Sequence, residues 1–206
     1  MTSEKFPNQG ELNIYTDGGK MSGNRVGAAY IFFEVTKQVQ VDKFRLPEHS
    51  TVFQAEIKAI YKAAAALKET QKYKYVRFFI DSQAAIKALD SRTVTSRLVL
   101  DTINELNDAS KNRQIRLYWT KAHTGTTGNE LADQAAKEGR RLALVEAVAM
   151  PKIELTNKIM DCFYELWDSQ WQAYSGARMT KQFYPKPDKK QAKHVHKLGR
   201  IELSRF

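Results

Sequence analysis

The stretch "RVGAAYIFFEV", residues 25–35, constrains the fold more than any other part of the chain. It is rich in β-branched and aromatic residues, and its interior carries no charge. A strand with one wet face alternates polar and apolar residues. This one does not, so it is expected to be a central strand. Such a strand needs neighbours beside it and further layers against it.

The flanking residues supply those neighbours. In "LNIYTDGGK" (12–20), Leu12, Ile14 and Thr16 alternate with Asn13 and Tyr15, so a strand is expected that ends on Asp17. "QVQVDKFRL" (38–46) alternates as a half-exposed strand does, and the short link at 36–37 suggests a hairpin. Next comes "STVFQAEIKAIYKAAAALKET" (50–70), with Phe53, Ile57, Ile60, Ala64 and Leu67 at helical spacing and Ser50 or Thr51 as its cap. "YVRFFID" (75–81) is a buried strand ending in an acid. Helices are expected over 82–89, 96–110 and 130–144, with a strand over 114–120 and a Gly/Thr loop ahead of the last helix. The order β-β-β-α-β-α-α-β-α predicts an α/β fold: a five-stranded mixed sheet with helices on both faces. No internal repeat is visible.

Beyond Ala149 the character changes. Pro151 marks a break, and 153–174 is expected to be an amphipathic helix. Leu155, Ile159, Phe163, Leu166, Trp167, Trp171 and Tyr174 share one of its faces, a stripe suited to packing on the main domain or on a partner helix. Gly176 stands where a helix stop belongs. Residues 178–206 read as extended and hold nine Lys or Arg against two Asp or Glu. Much of the chain's net charge of +10 therefore sits at its C-terminal end. That balance favours a polyanionic partner. The expected organisation is an N-terminal lead (1–10), a main domain (11–145) and an extension (146–206) that combines the amphipathic helix 153–174 with the basic tail 178–206.

Hydrophobic residues make up 42% of the 206, enough for a sizeable core. The single cysteine, Cys162, excludes an intrachain disulfide. The polar N-terminus has no signal-peptide core, and no apolar run is long enough to span a bilayer. A soluble intracellular protein with no membrane partner is expected.

Four acids stand at comparable places. Asp17 and Asp81 end strands, Glu56 lies in the first long helix, and Asp133 is expected in the first turn of the last helix. In a sheet where the first and fourth strands are neighbours, Asp17 and Asp81 would lie close together, and the helical acids could lean over the same edge. Gathered carboxylates do not stay ionised without cations. Hard divalent ions with oxygen ligands answer that need, Mg²⁺ first. Two such ions about 4 Å apart can hold the attacking and leaving oxygens of a phosphodiester. Taken singly, each acid reads better as a helix cap or a surface group than as a ligand. The glycines after Asp17 suit a tight turn that leaves room for a ligand's backbone.

The joint pattern of "YTDGG", "FQAE-I-AI", "IDSQAAIKAL" and "WTKAHTGTTGNELADQAAK" resembles the ribonuclease H domain over residues 11–145. The "KAH-G--GNE-AD" form looks most like domains of animal non-LTR retrotransposon polyproteins. The resemblance implies the ribonuclease H-like fold and hydrolysis of the RNA strand of RNA/DNA hybrids. It makes Asp17, Glu56, Asp81 and Asp133 catalytic ligands of two Mg²⁺ ions, with Mn²⁺ a possible substitute. It makes His123 a loop histidine that assists proton transfer or product departure. The minor groove of a hybrid displays 2′-hydroxyls. Gly18, Gly19, Ser82, Gln83 and Asn129 are candidates to read them, and Asn24 and Arg25 to seat a phosphate of the DNA strand. Only "DSRTVT" separates residues 89 and 96, so the extra basic helix of bacterial members has no room. The basic tail could supply that grip.

The expected partners are the RNA/DNA hybrid and the reverse transcriptase part of the same polyprotein, of which this chain would be the C-terminal part. The expected setting is retrotransposon reverse transcription, in the nucleus or cytoplasm. Two alternatives stand beside it: a catalytically weak nucleic-acid-binding or scaffold module, and a free-standing host ribonuclease H.

Overall fold

The computed structural model describes residues 10–21, 23–121, 126–176, 178–186 and 188. Cα packing divides the chain into two units, Met1–Pro151 and Lys152–Phe206. The first holds β1 (Glu11–Lys20), β2 (Val26–Glu34), β3 (Lys37–Leu46), α1 (Val52–Lys68), β4 (Tyr75–Ile80), α2 (Gln83–Leu89), α3 (Arg97–Ser110), β5 (Gln114–Trp119) and α4 (Thr127–Gly139). The strands form one sheet in the order β3-β2-β1-β4-β5. β1 runs antiparallel to β2 and parallel to β4, and β4 runs parallel to β5.

The unbroken apolar run lies where its composition demands. Every residue of β2 except Glu34 is buried. Val26, Ala28, Tyr30 and Phe32 join the core that contains α1 and Val99 of α3. Ala29, Ile31 and Phe33 turn the other way, onto Ala132, Ala135 and Ala136 of α4. The sheet thus has helices on both faces, as the element order predicts.

α1 begins where its cap permits. Thr51 Oγ1 accepts from the Gln54 N–H at 3.1 Å, and Gln54 Oε1 accepts from the Thr51 N–H at 3.2 Å. This reciprocal box makes Thr51, not Ser50, the cap. Below it, Ala55, Ile57, Ala59, Ile60, Ala63, Ala64 and Leu67 have no exposed surface.

Several boundaries differ from expectation. The β2–β3 turn is Val35–Thr36, one residue earlier than the expected link, and Val35 has φ 55°. A β-branched residue there is strained, so propensity gives no hint of it. α4 starts at Thr127, three residues early, and stops at Gly139 rather than 144. Gly128 lets its first turn press against the Tyr15 ring. A Cβ on Gly139 would come within 2.8 Å of the Phe44 carbonyl. The chain then meets β3, where the Glu146 N–H donates to Arg45 O at 2.7 Å, and reaches the start of α1, where Gln54 Nε2 donates to Ala149 O at 2.8 Å.

In the second unit, α5 (Lys152–Ala173) matches the expected amphipathic helix, but none of its residues is buried. A short helix, α6 (Arg178–Phe183), replaces the expected extended start of the tail. It is tied to α5 by Trp171 Nε1 donating to Tyr184 O at 2.9 Å and Gln172 Nε2 to Pro185 O at 2.6 Å.

Candidate metal centre

Asp17 does not end its strand. β1 continues to Lys20 because β2 carries the pairing on through Gly19↔Gly27 and Lys20↔Val26. What ends at Asp17 is the parallel pairing, whose last register pair is Thr16↔Ile80. β4 stops there, and Asp81 follows at once. Trp119 Nε1 donates to Asp81 O at 3.0 Å and steadies that backbone. Glu56 arrives from α1, whose backbone crosses close over Gly18: a Cβ there would lie 2.5 Å from Glu56 N and 2.6 Å from the Ala55 carbonyl carbon.

One carboxylate oxygen each from Asp17, Glu56 and Asp81 lie within 4.8 Å of one another. Asp17 is 8% exposed and Glu56 5%. Burial pushes the Asp17 carboxyl up to about 7, helped by Asp81 and Asp133 and opposed by Arg140 and Lys137. Burial, then Asp17 and Asp81, push Glu56 up to about 9, although a backbone hydrogen bond from Gly18 works against the rise. Glu56 Oε2 is buried with no hydrogen-bond partner among the described residues. An all-oxygen donor set with an orphaned buried acceptor suits a hard divalent cation.

The fourth acid stands slightly apart. Asp133 belongs to α4 and lies in its second turn, not the first, because the helix starts early. Lys137 Nζ holds its carboxylate at 2.6 Å. Its charge still reaches Asp17, so Asp133 faces the group without being one of the three that meet.

The expected substrate contacts fare unevenly. Gly18 and Gly19 each have a packing neighbour on the side where a Cβ would stand. A Cβ on Gly18 would strike the α1 backbone, whereas one on Gly19 would meet the movable end of the Arg140 side chain. Asn129 is buried within α4, and its Oδ1 is enclosed without a partner among the described residues. Asn24 and Arg25 are exposed in the β1–β2 turn, where Asn24 takes φ 61°. Ser82 caps α2, its Oγ accepting from the Ala85 N–H at 3.2 Å, and Gln83 beside it is exposed. Both follow Asp81 directly. His123 lies outside the described residues.

Sequence reasoning missed Arg140 and Lys137. A signal existed: Asp133, Lys137 and Arg140 stand at helical spacing, and cations one and two turns after an acid share its face.

The sequence profile of the family described as RNase H matches residues 9–141. The chain belongs to the ribonuclease H family. Its relatives include a ribonuclease H of Nitrobacter hamburgensis, 31% identical over 159 residues, covering 69% of this chain and 98% of that one. A ribonuclease HI of Campylobacter jejuni is 27% identical over 135 residues, covering 62% and 89%. The fold matches the RNase H1 crystal structure from Halobacterium salinarum with a TM-score of 0.52 at 19% identity, over 63% of this chain and 97% of that one. It also matches an N-terminal RNase H domain from Mycobacterium tuberculosis, solved as a fusion with maltose-binding protein. There the TM-score is 0.54 at 16% identity, over 63% and 93%. These likenesses place the five-stranded mixed sheet and its helices in the ribonuclease H-like fold.

Proposed function

We propose that this chain is a divalent-metal-dependent endoribonuclease that hydrolyses the RNA strand of RNA/DNA hybrids and leaves 3′-hydroxyl and 5′-phosphate ends. The observation that carries this reading is the meeting of the Asp17, Glu56 and Asp81 carboxylates within 4.8 Å, in a chain of this family. Those three, with Asp133, would hold two Mg²⁺ ions, or Mn²⁺ with the same oxygen donors. When bound, such ions supply positive charge at the phosphodiester and lower the pKa of a water.

The chain's own residues do the rest. Asp17 and Glu56 resist ionisation in the bare site, so cation binding would release protons from them. Lys137 keeps Asp133 oriented. His123 is proposed to move a proton or to help the product leave. Ser82 and Gln83, beside Asp81, are proposed to read the 2′-hydroxyls, and Asn24 and Arg25 to seat a phosphate.

The finer setting in this proposal is reverse transcription by a non-LTR retrotransposon, beside a reverse transcriptase, in the nucleus or cytoplasm. The "KAH-G--GNE-AD" form and the short connection between α2 and α3 support it. In that reading 11–145 is the catalytic domain, and 146–206 is an extension whose basic tail, 178–206, strengthens the grip on hybrid. A free-standing ribonuclease H is the second reading. It is favoured by the relatives of Campylobacter and Nitrobacter, whose own lengths the match almost fills.

The decisive experiment is cleavage of a labelled RNA/DNA hybrid with Mg²⁺ by the wild type and by Asp81→Asn. Cleavage that the variant loses supports the reading. Cleavage by both places the activity elsewhere. Binding without cleavage by either favours a nucleic-acid-binding module. Deleting 178–206 tests the tail: an unchanged hybrid affinity and salt slope would remove it from the proposal.

A further inference from the structure

The two halves of the sheet are covered differently on the face that bears Asp17. α4 lies over β1, β2 and β3. On β4 and β5 that face is open: Tyr75 is 53% exposed, Tyr118 is 37% exposed, and Arg116 is exposed.

Strand register arranges the open face in rows. Nearest the carboxylates, Tyr15, Phe79 and Tyr118 stand side by side on β1, β4 and β5. Tyr15 stacks on Phe79 at 4.9 Å and Phe79 on Tyr118 at 5.7 Å. This row lies two residues, about 7 Å, from the Asp17 position on the same face. The next row is Arg77 and Arg116, and beyond it are Tyr75 and Gln114. Glu11, Tyr75, Arg77, Gln114, Arg116 and Tyr118 line a shallow groove. Arg77 is paired with Glu11 at 2.8 Å. Among the described residues Arg116 meets no carboxylate.

An aliphatic partner surface would find little to match here, because aromatic rings alternate with guanidinium and amide groups. The combination suits a polyanion that carries flat rings. Bases stack on aromatic side chains regardless of sequence, and arginine seats the phosphates between them. A duplex has its bases already stacked and offers none to these rings.

We propose that the open face of β4 and β5 is a second nucleic-acid surface that takes single-stranded DNA, with bases stacked on the exposed rings of Tyr118 and Tyr75 and phosphate on Arg116. It is separate from the carboxylate site and does not depend on the hydrolytic reading.

The test is fluorescence anisotropy with a labelled twelve-residue oligothymidylate and the full chain in EDTA. The expected result is binding that Arg116→Glu weakens about tenfold and Tyr118→Ala about five- to tenfold. Lys37→Glu, an equal charge change at the far edge of the sheet, should leave it within about twofold. Thermal melting of each variant checks its fold. A bromouracil-substituted strand, irradiated on the wild type, should cross-link to Tyr118 or Tyr75. Equal losses from Arg116→Glu and Lys37→Glu would overturn the proposal. So would absence of wild-type binding, or cross-links confined to 178–206, which would assign binding to the basic tail.

Discussion

Asp17 on β1 and Glu56 on α1 are 8% and 5% exposed, and among the described residues neither forms a salt bridge with a side-chain cation. Asp133 lies on α4, partly exposed, with the Lys137 ammonium against its carboxylate. The acids are alike in sequence and opposite in environment. The inner pair has lost water and gained like-charged neighbours, so its carboxyls rise to about 7 and about 9. The outer acid keeps a counter-ion and solvent. An inner site of this kind is unfavourable for the bare fold and becomes favourable when a cation enters.

The largest expected effect is on activity. Asp17→Asn removes a donor from the centre of the group, and a metal site contributes several kcal/mol of transition-state stabilisation. Hybrid cleavage with Mg²⁺ should fall about a hundredfold or more. A fall of less than tenfold would mean that the inner pair is not the working part.

Next comes packing beneath the inner pair. Gly18→Ala places a Cβ 2.5 Å from the α1 backbone, which cannot swing aside as a side chain does. Urea unfolding should show a loss of about 1–3 kcal/mol. Gly10→Ala, where nothing lies within 4 Å but φ is 94°, is the strained but uncrowded comparison. It should cost less.

The third prediction concerns pH. Between about 4.5 and about 9, unfolded Glu56 has lost its proton while folded Glu56 keeps it. Asp17 behaves likewise between about 3.8 and about 7. The native state therefore binds more protons than the unfolded one, and stability falls as pH rises through that window. Melting in EDTA from pH 5 to pH 9 should show the decline. Glu56→Gln, which cannot ionise, should flatten most of it. Adding Mg²⁺ should raise the wild-type midpoint most at the alkaline end. A slope unaltered in Glu56→Gln would assign the dependence to other groups.

The smallest effect belongs to the outer acid's partner. Lys137→Ala breaks an exposed pair one helical turn apart and should change stability by only about 0.5 kcal/mol. If cleavage drops more than stability does, Lys137 orients Asp133 for the reaction. If neither moves, the pair is a surface contact.

Much of the fold is legible in the residues because the patterns are local. The uncharged run of β2 announces a covered strand, and alanine-rich helical spacing announces α1. Elements were misread where long-range packing overrides local preference. Val35 accepts a left-handed turn because the β2–β3 pairing closes around it. α4 begins three residues early because Gly128 fits the Tyr15 ring, a contact between residues far apart in sequence. The start of the tail folds into α6 through hydrogen bonds back to α5 that composition does not show.

The candidate site divides along the same line. Residue type and order alone single out Asp17, Glu56, Asp81 and Asp133 and the chemistry that oxygen donors favour. The tertiary structure decides that three of the four meet, because only the β1–β4 register brings Asp17 beside Asp81, and only bare Gly18 lets α1 deliver Glu56. It packs Gly18 against α1, buries Asn129, and sets the end of the Arg140 side chain near Gly19. Spacing along a chain fixes which face of an element a side chain takes. Distance between elements, and the water excluded there, exists only once the sheet and helices have packed.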